Sequence, residues 1–229
     1  MMAEKLILFD IDGTLIRTKG AGRVATQRAM LDVYGTAGRI DTHHFGGKTD
    51  WLTLVELLAE HGHDHDSIGA TMPEFEQVMA KHLERSVREA ELTVLPGAMA
   101  LVSGLLDERR VMMGIVTGNT RAGASVKLSA GGFDPLWFKT GAYGSESVDR
   151  NELSALALTR ANALNKRDIA PENVLVVGDT VRDIECARAI GAVAVAVKTG
   201  FEQHSLLEDA RPDYLLDNLT TFRALLALD

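Results

Sequence analysis

The run Leu6-Ile7-Leu8-Phe9 leads without a break into Asp10-Ile11-Asp12-Gly13-Thr14. A continuous apolar run reads as a buried strand, and two carboxylates one residue apart at its end are costly there unless a cation or hydrogen-bond donors meet them. Side chains alternate along a strand, so Asp10 and Asp12 share an orientation, and Gly13 frees the chain to turn sharply just beyond them. Acids at the carboxyl edge of an α/β sheet point to a metal site or to covalent catalysis.

Composition agrees with a soluble globular chain. With 229 residues, 46% of them hydrophobic and 24% charged, it can bury a sizeable core as one large domain or two unequal ones. A formal charge of −8 opposes nonspecific attraction to nucleic acid or anionic membrane, and no basic run offsets it, so an anionic substrate would need local cations. The apolar run before Asp10 is too short for a signal peptide or a membrane span. The expected location is therefore the cytoplasm, and the expected partner a small molecule, with oligomeric state left open. Cys186 is the single cysteine, which excludes an internal disulfide and a cysteine-rich zinc site; Ile184, Ala187 and Ile190 around it suggest a buried helix face.

From about Ala98 onward strand-like and helix-like segments alternate. Val111 to Val116 reads as a strand, Arg121 to Ala130 as a helix ended by Gly131-Gly132, and Leu153 to Asn165 as a second helix. Strands at Val174–Val177 and Val193–Val197 flank a helix from Val181 to Ile190, a unit that should be parallel and right-handed. A short strand at Tyr214–Leu216 and a final helix from Leu219 complete the pattern. Residues 20–91 differ: apolar positions recur at helical spacing without a convincing strand, broken by a turn-rich stretch from Asp32 to Thr49 and a polar loop from His61 to Ser67. The expected fold is α/β, a Rossmann-like parallel-sheet core formed by residues 1–18 and 93–229, with a helical cap domain inserted over residues 19–92.

Three further segments join the first at strand-to-helix junctions. Val116-Thr117-Gly118-Asn119 ends a strand with neutral hydrogen-bonding groups suited to phosphate oxygens. Asp149-Arg150-Asn151 places a cation at a helix start, where on local grounds alone Asp149 would be an N-cap and Arg150 solvated. Gly178-Asp179-Thr180-Val181-Arg182-Asp183 carries acids at i and i+4, which fall on one helical face and also suit an ordinary N-terminal cap. Two acids, then a threonine, then a basic residue, then two more acids, each at such a junction, is an improbable set of accidents.

In this ordered set the chain resembles the haloacid dehalogenase-like hydrolase superfamily, in its helical-cap, phosphoglycolate phosphatase-like branch. The resemblance covers nearly the whole chain. It implies that Asp10 is the nucleophile, Asp12 the general acid/base, Thr117 the phosphate-binding hydroxyl, and Asp179 and Asp183 metal-binding acids. The third motif of the family is usually a lysine. Here Arg150 stands at the corresponding helix start, and since an arginine can make a bidentate fork to phosphate and never loses its charge, the replacement is chemically reasonable. Lys139 lies in a strand-like segment, and Lys127, the other competitor, is expected on a solvated helix face.

What the resemblance implies is a Mg²⁺-dependent phosphatase of a small phosphorylated metabolite, phosphoglycolate or a sugar phosphate, working through an aspartyl-phosphate. Mg²⁺ would be held by Asp10, the backbone carbonyl of Asp12, Asp179 and Asp183. Gly13, Thr14, Gly118 and Asn119 are expected to line the phosphate site. Asp12 argues against carbon–halogen cleavage, since dehalogenases resembling this fold lack it, but it is equally compatible with a phosphomutase of the β-phosphoglucomutase type. A catalytically silent ligand-binding relative is a third alternative, disfavoured because no member of the acidic set is lost. Substrate choice should reside in the cap, where Phe45-Gly46-Gly47-Lys48-Thr49-Asp50 offers Lys48 to the leaving group; a solvated Lys48 beside a capping Thr49 explains the segment nearly as well. Gly20 to Arg23 is a weaker candidate contact. The histidines from His43 to His65 read as polar loop rather than as metal ligands.

Overall fold

The computed structural model describes residues 3–226. Six parallel strands form one sheet in the order β5-β4-β1-β6-β7-β8: β1 is Lys5–Phe9, β4 Val111–Thr117, β5 Thr140–Tyr143, β6 Val174–Gly178, β7 Val193–Val197 and β8 Tyr214–Leu216. The alternation in β1 decides how the sheet is covered. Ile7 and Phe9 face one apolar layer with α4 (Ala98–Leu105) and α5 (Arg121–Ala130), while Leu6 and Leu8 face the other with α6 (Arg150–Asn165) and α7 (Val181–Ala189). Both faces are thus covered, which is why these strands are apolar throughout.

The chain fills the sheet outward from β1 through β4 to β5, then crosses to β6, β7 and β8. Loops diverge to either side of β1 at the carboxyl edge, the place where a doubly wound sheet opens a crevice. Helices α1 (Ala21–Tyr34), α2 (Asp50–Leu58) and α3 (His65–Glu89) build a separate apolar cluster around Met30, Leu54, Phe75 and Leu83. The two-residue strands β2 (Ile16–Arg17) and β3 (Thr93–Val94) pair antiparallel, so the chain enters and leaves this helical segment side by side.

Three details depart from the reading of the sequence. The polar stretch beginning at His61 is not all loop: α3 starts at His65 because Asp64 caps it, accepting the Ser67 amide at 2.8 Å while the Ser67 hydroxyl accepts the Asp64 amide at 2.9 Å. The final segment, Leu219–Leu226, is a 3₁₀ helix, with Leu219, Phe222 and Leu226 buried against the sheet. The pair β2 and β3 is too short to leave a period in the sequence. Among the described residues no helix is long and apolar enough to cross a membrane.

Candidate active site

Asp10 follows β1 directly, its amide bonded to the Val177 carbonyl at 2.8 Å. Gly13, at φ +83°, makes the turn beyond it, and a Cβ there would stand 2.4 Å from Asp179 Oδ2. Gly200, in the loop after β7, closes on the same carboxylate so tightly that a Cβ would overlap it. Asp179 is therefore clamped between two glycine backbones, with Thr14 Oγ1 3.5 Å from its Oδ1. It precedes α7 rather than lying on it. Asp183 sits inside the first turn, where its Oδ2 accepts from the Thr180 amide at 3.0 Å and the Thr180 hydroxyl at 2.6 Å. The two acids thus meet across the junction, not along one helical face.

Arg150 and Asp149 divide the two roles that the sequence left open. Asp149 caps α6, accepting the Asn151 amide at 2.9 Å, while Arg150 is 6% exposed and turns inward. Its Nη2 lies 2.5 Å from Asp183 Oδ1 and 3.2 Å from Asp10 Oδ1. Burial opposes the guanidinium charge, but Asp183 and Asp10 more than restore it and hold the pKa above the ordinary arginine value. Thr117 ends β4 fully buried, its hydroxyl accepting from Asn119 Nδ2 at 2.7 Å.

Carboxylate oxygens of Asp10, Asp179 and Asp183 lie within 4.8 Å of one another, all three side chains buried. Burial pushes the Asp10 carboxyl up to about 7, Arg150 pulling it down and Asp183 and Asp12 pushing it further up. Asp179 is raised well above the carboxylate range, by burial first and then by Asp10 and Asp183. Three clustered acids with one guanidinium leave negative charge that only protons or a cation can offset. The donors are all oxygen, which suits a hard divalent ion and not a thiophilic one.

The segment from Gly47 to Trp51 lies directly on these loops. Asp50 donates its amide to the Gly118 carbonyl at 2.7 Å, Trp51 to the Gly144 carbonyl at 3.0 Å, and Thr49 Oγ1 to the Val148 carbonyl at 3.2 Å. Thr49 is the cap of α2, accepting the Leu52 amide. The Asp50 carboxylate instead crosses to α5, accepting the Thr120 amide at 2.7 Å, and Glu76 of α3 accepts the Ala122 amide of the same helix at 2.7 Å. Burial pushes Asp50 up to about 6, with Lys127 and the Thr120 amide pulling it back. The Lys48 side chain is neither free in solvent nor pointed at an acid of the core: it pairs with Glu56 at 2.5 Å and lines the cleft.

One cleft of about 610 Å³ is lined by Asp10, Asp12, Lys48, Asp50, Thr117, Gly118, Asn119, Lys127, Arg150 and Asp179. Asp183 stands behind it, within the acidic cluster. Arg23 also lines it, its guanidinium 4.6 Å over the Phe45 ring and donating to the His43 carbonyl at 2.8 Å. His63 packs edge-on against Tyr34, and His65 stacks on Trp51.

Lys127 is the residue that sequence reasoning misplaced. It is 4% exposed, not solvated, and its ammonium lies 2.5 Å from Asp12 Oδ2 and 2.6 Å from Asn119 Oδ1. A signal existed: Thr120, Ala124, Lys127 and Leu128 follow the i, i+4, i+7, i+8 spacing, and all are buried.

Known proteins resemble the chain in sequence and in fold. The chain is 28% identical over 216 residues to a phosphoglycolate phosphatase of Synechococcus elongatus, covering 92% of each chain, and 25% identical over 225 residues to the pyrophosphatase PpaX of Bacillus pumilus, covering 97% and 96%. In fold it resembles the crystal structure of CbbY from Rhodobacter sphaeroides in complex with phosphate, at a TM-score of 0.70 and 19% identity over 96% of both chains. The family described as haloacid dehalogenase-like hydrolase matches residues 7–197, and the protein belongs to that family.

Proposed function

We propose that this protein is a Mg²⁺-dependent phosphatase of a small phosphoglycolate-like ester, acting through an aspartyl-phosphate on Asp10. It is a phosphoric monoester hydrolase by its family and relatives. The observation that carries the reading is the convergence of Asp10, Asp12, Thr117, Arg150 and Asp179 on one cleft at the carboxyl edge of the sheet. Mg²⁺ held by Asp10, Asp179, Asp183 and the Asp12 carbonyl would neutralise negative charge on phosphate and acids alike.

The chain's own groups then do the following. A carboxylate oxygen of Asp10 attacks phosphorus, the bond from phosphorus to the leaving oxygen breaks, and Asp12 gives that oxygen its proton. Water next attacks the aspartyl-phosphate, its proton goes to Asp12, and the bond between phosphorus and Asp10 breaks, so the enzyme returns to its starting state. Arg150 and Thr117 hold phosphate oxygens, with their donors in place before the charge develops. Residues 19–92 would act as a cap over the core of residues 1–18 and 93–229, excluding bulk water and offering Lys48 to the leaving group.

Asp10→Asn tests the reading. The amide keeps the shape but cannot attack, so turnover and the acid-stable, hydroxylamine-sensitive phosphoenzyme should both vanish while the melting temperature holds. Turnover near the wild-type rate in Asp10→Asn would overturn it.

A further inference from the structure

Asp12 is the one acid of the set that reaches toward solvent, its side chain 39% exposed. A half-exposed aspartate is free to rotate, yet proton transfer demands a fixed oxygen within hydrogen-bond reach of the reacting atom. Its two neighbours supply the constraint. Lys127 Nζ lies 2.5 Å and Asn119 Nδ2 2.8 Å from the same oxygen, Oδ2. Asn119 is itself fixed, giving its second amide hydrogen to Thr117 Oγ1 at 2.7 Å and accepting from Lys127 at 2.6 Å. The ring Lys127, Asn119, Asp12 is closed, and among the described residues no donor meets Asp12 Oδ1.

We propose that Lys127 is a positioning residue for Asp12: with Asn119 it occupies Oδ2 and leaves Oδ1 as the oxygen that carries the proton to the leaving group and later takes one from water. The amine is held from three sides. It rises from α5, meets Asp12 on the first loop, and packs against α1 of the helical segment, where a Cβ on Gly22 would stand 3.4 Å from Nζ. Asp50, from α2, faces the same cation. Lys127 does not share the task of Arg150, which pairs with Asp10 and Asp183 instead. The bond changes are those of the phosphatase reading, on which this inference rests; it adds only which oxygen of Asp12 moves the proton and what holds it.

The test is Lys127→Met, close in length and without the amine, measured on an alkyl phosphate and on p-nitrophenyl phosphate. An alkoxide needs a proton to leave and nitrophenolate hardly does, so kcat/KM on the alkyl ester should fall about 10²-fold and that on the aryl ester far less. Aspartyl-phosphate hydrolysis still needs a base, so the aryl ester should give a burst of about one nitrophenolate per active site, followed by slow turnover. Lys127→Arg keeps a cation and should recover most of the alkyl-ester rate. In an Asp12→Asn background Lys127→Met should cost nothing more, because residues acting as one unit are not additive. An equal loss on both esters without a burst, a rise in KM alone, or a full further loss in the Asp12→Asn background would each overturn the positioning role. A wild type that forms no phosphoenzyme would overturn the phosphatase reading as well, which separates the two failures.

Discussion

Gly118→Ala probes how the helical segment meets the core, through a single methyl group. Gly118 has an ordinary backbone conformation, so alanine adds no torsional strain, but its Cβ would stand 2.0 Å from the Lys48 carbonyl oxygen; Arg150 Nη1, 3.0 Å from it, lies at the end of a long side chain and need yield far less than that backbone. Nonbonded carbon and oxygen approach no nearer than about 3.2 Å, so residues 47–49 must retreat by about 1 Å or more. That retreat breaks or lengthens the bonds from the Asp50 amide to the Gly118 carbonyl and from the Thr120 amide to the Asp50 carboxylate, both 2.7 Å long. Each is worth about 0.5–1.5 kcal/mol net, more with a charged partner, so closure over the cleft should weaken by about 2–3 kcal/mol. At about 1.4 kcal/mol per factor of ten, kcat/KM on a small alkyl phosphate should drop roughly 30- to 150-fold. The sheet and its two apolar layers are untouched, so the melting temperature should stay within a few degrees. Steady-state kinetics beside thermal melting decide the matter. Wild-type kcat/KM on the alkyl ester would refute the argument, as would a melting temperature that collapses along with activity.

Metal and pH should act together on stability. Asp10 rises from 3.8 to about 7 in the fold, and a carboxyl raised on folding stabilises below its unfolded value and loses that contribution as pH climbs through the folded one. In chelator the melting temperature should therefore decline between about pH 4 and pH 7, and added Mg²⁺ should raise it more at about pH 8 than at about pH 5; a pH-independent Mg²⁺ shift would contradict the acidic cluster as its site. Lys48→Ala should weaken discrimination among natural esters and leave p-nitrophenyl phosphate nearly alone, whereas Arg150→Ala should harm every substrate, by about 10²-fold or more, since all share the phosphoryl group. Parallel kinetics on one ester of each kind read both, and a uniform loss in Lys48→Ala or a selective one in Arg150→Ala would reverse the assignments.

The primary sequence by itself determined the sheet and the edge on which the site is built. Leu6-Ile7-Leu8-Phe9 can only be buried on both sides, and the alternation of strands and helices after Ala98 leaves little choice but a parallel sheet. Acids and hydroxyls that end or directly follow such strands must gather at its carboxyl edge, which is why Asp10, Thr117 and Asp179 were legible from order and type alone, while Asp183 reaches the same edge from the first turn of α7. Arg150 was legible too, because chain order singled it out where local preference favoured solvent.

Tertiary structure decided what the residues do to each other across segments. The spacing of Lys127 with Ala124 and Leu128 marks a buried face, but only the packing of α5 against the sheet turns its amine toward Asp12 and α1. Asp50 and Thr49 are both acceptable N-caps in sequence; only the approach of α2 to α5 sends the Asp50 carboxylate to the Thr120 amide and leaves Thr49 as the cap. Glu76 likewise looks like a solvated acid on α3 until it meets the Ala122 amide. The physical reason is common to all three. Periodicity reports which side of an element is buried, whereas the partner of a buried polar group is set by a different element, brought near through packing that leaves no trace in local spacing.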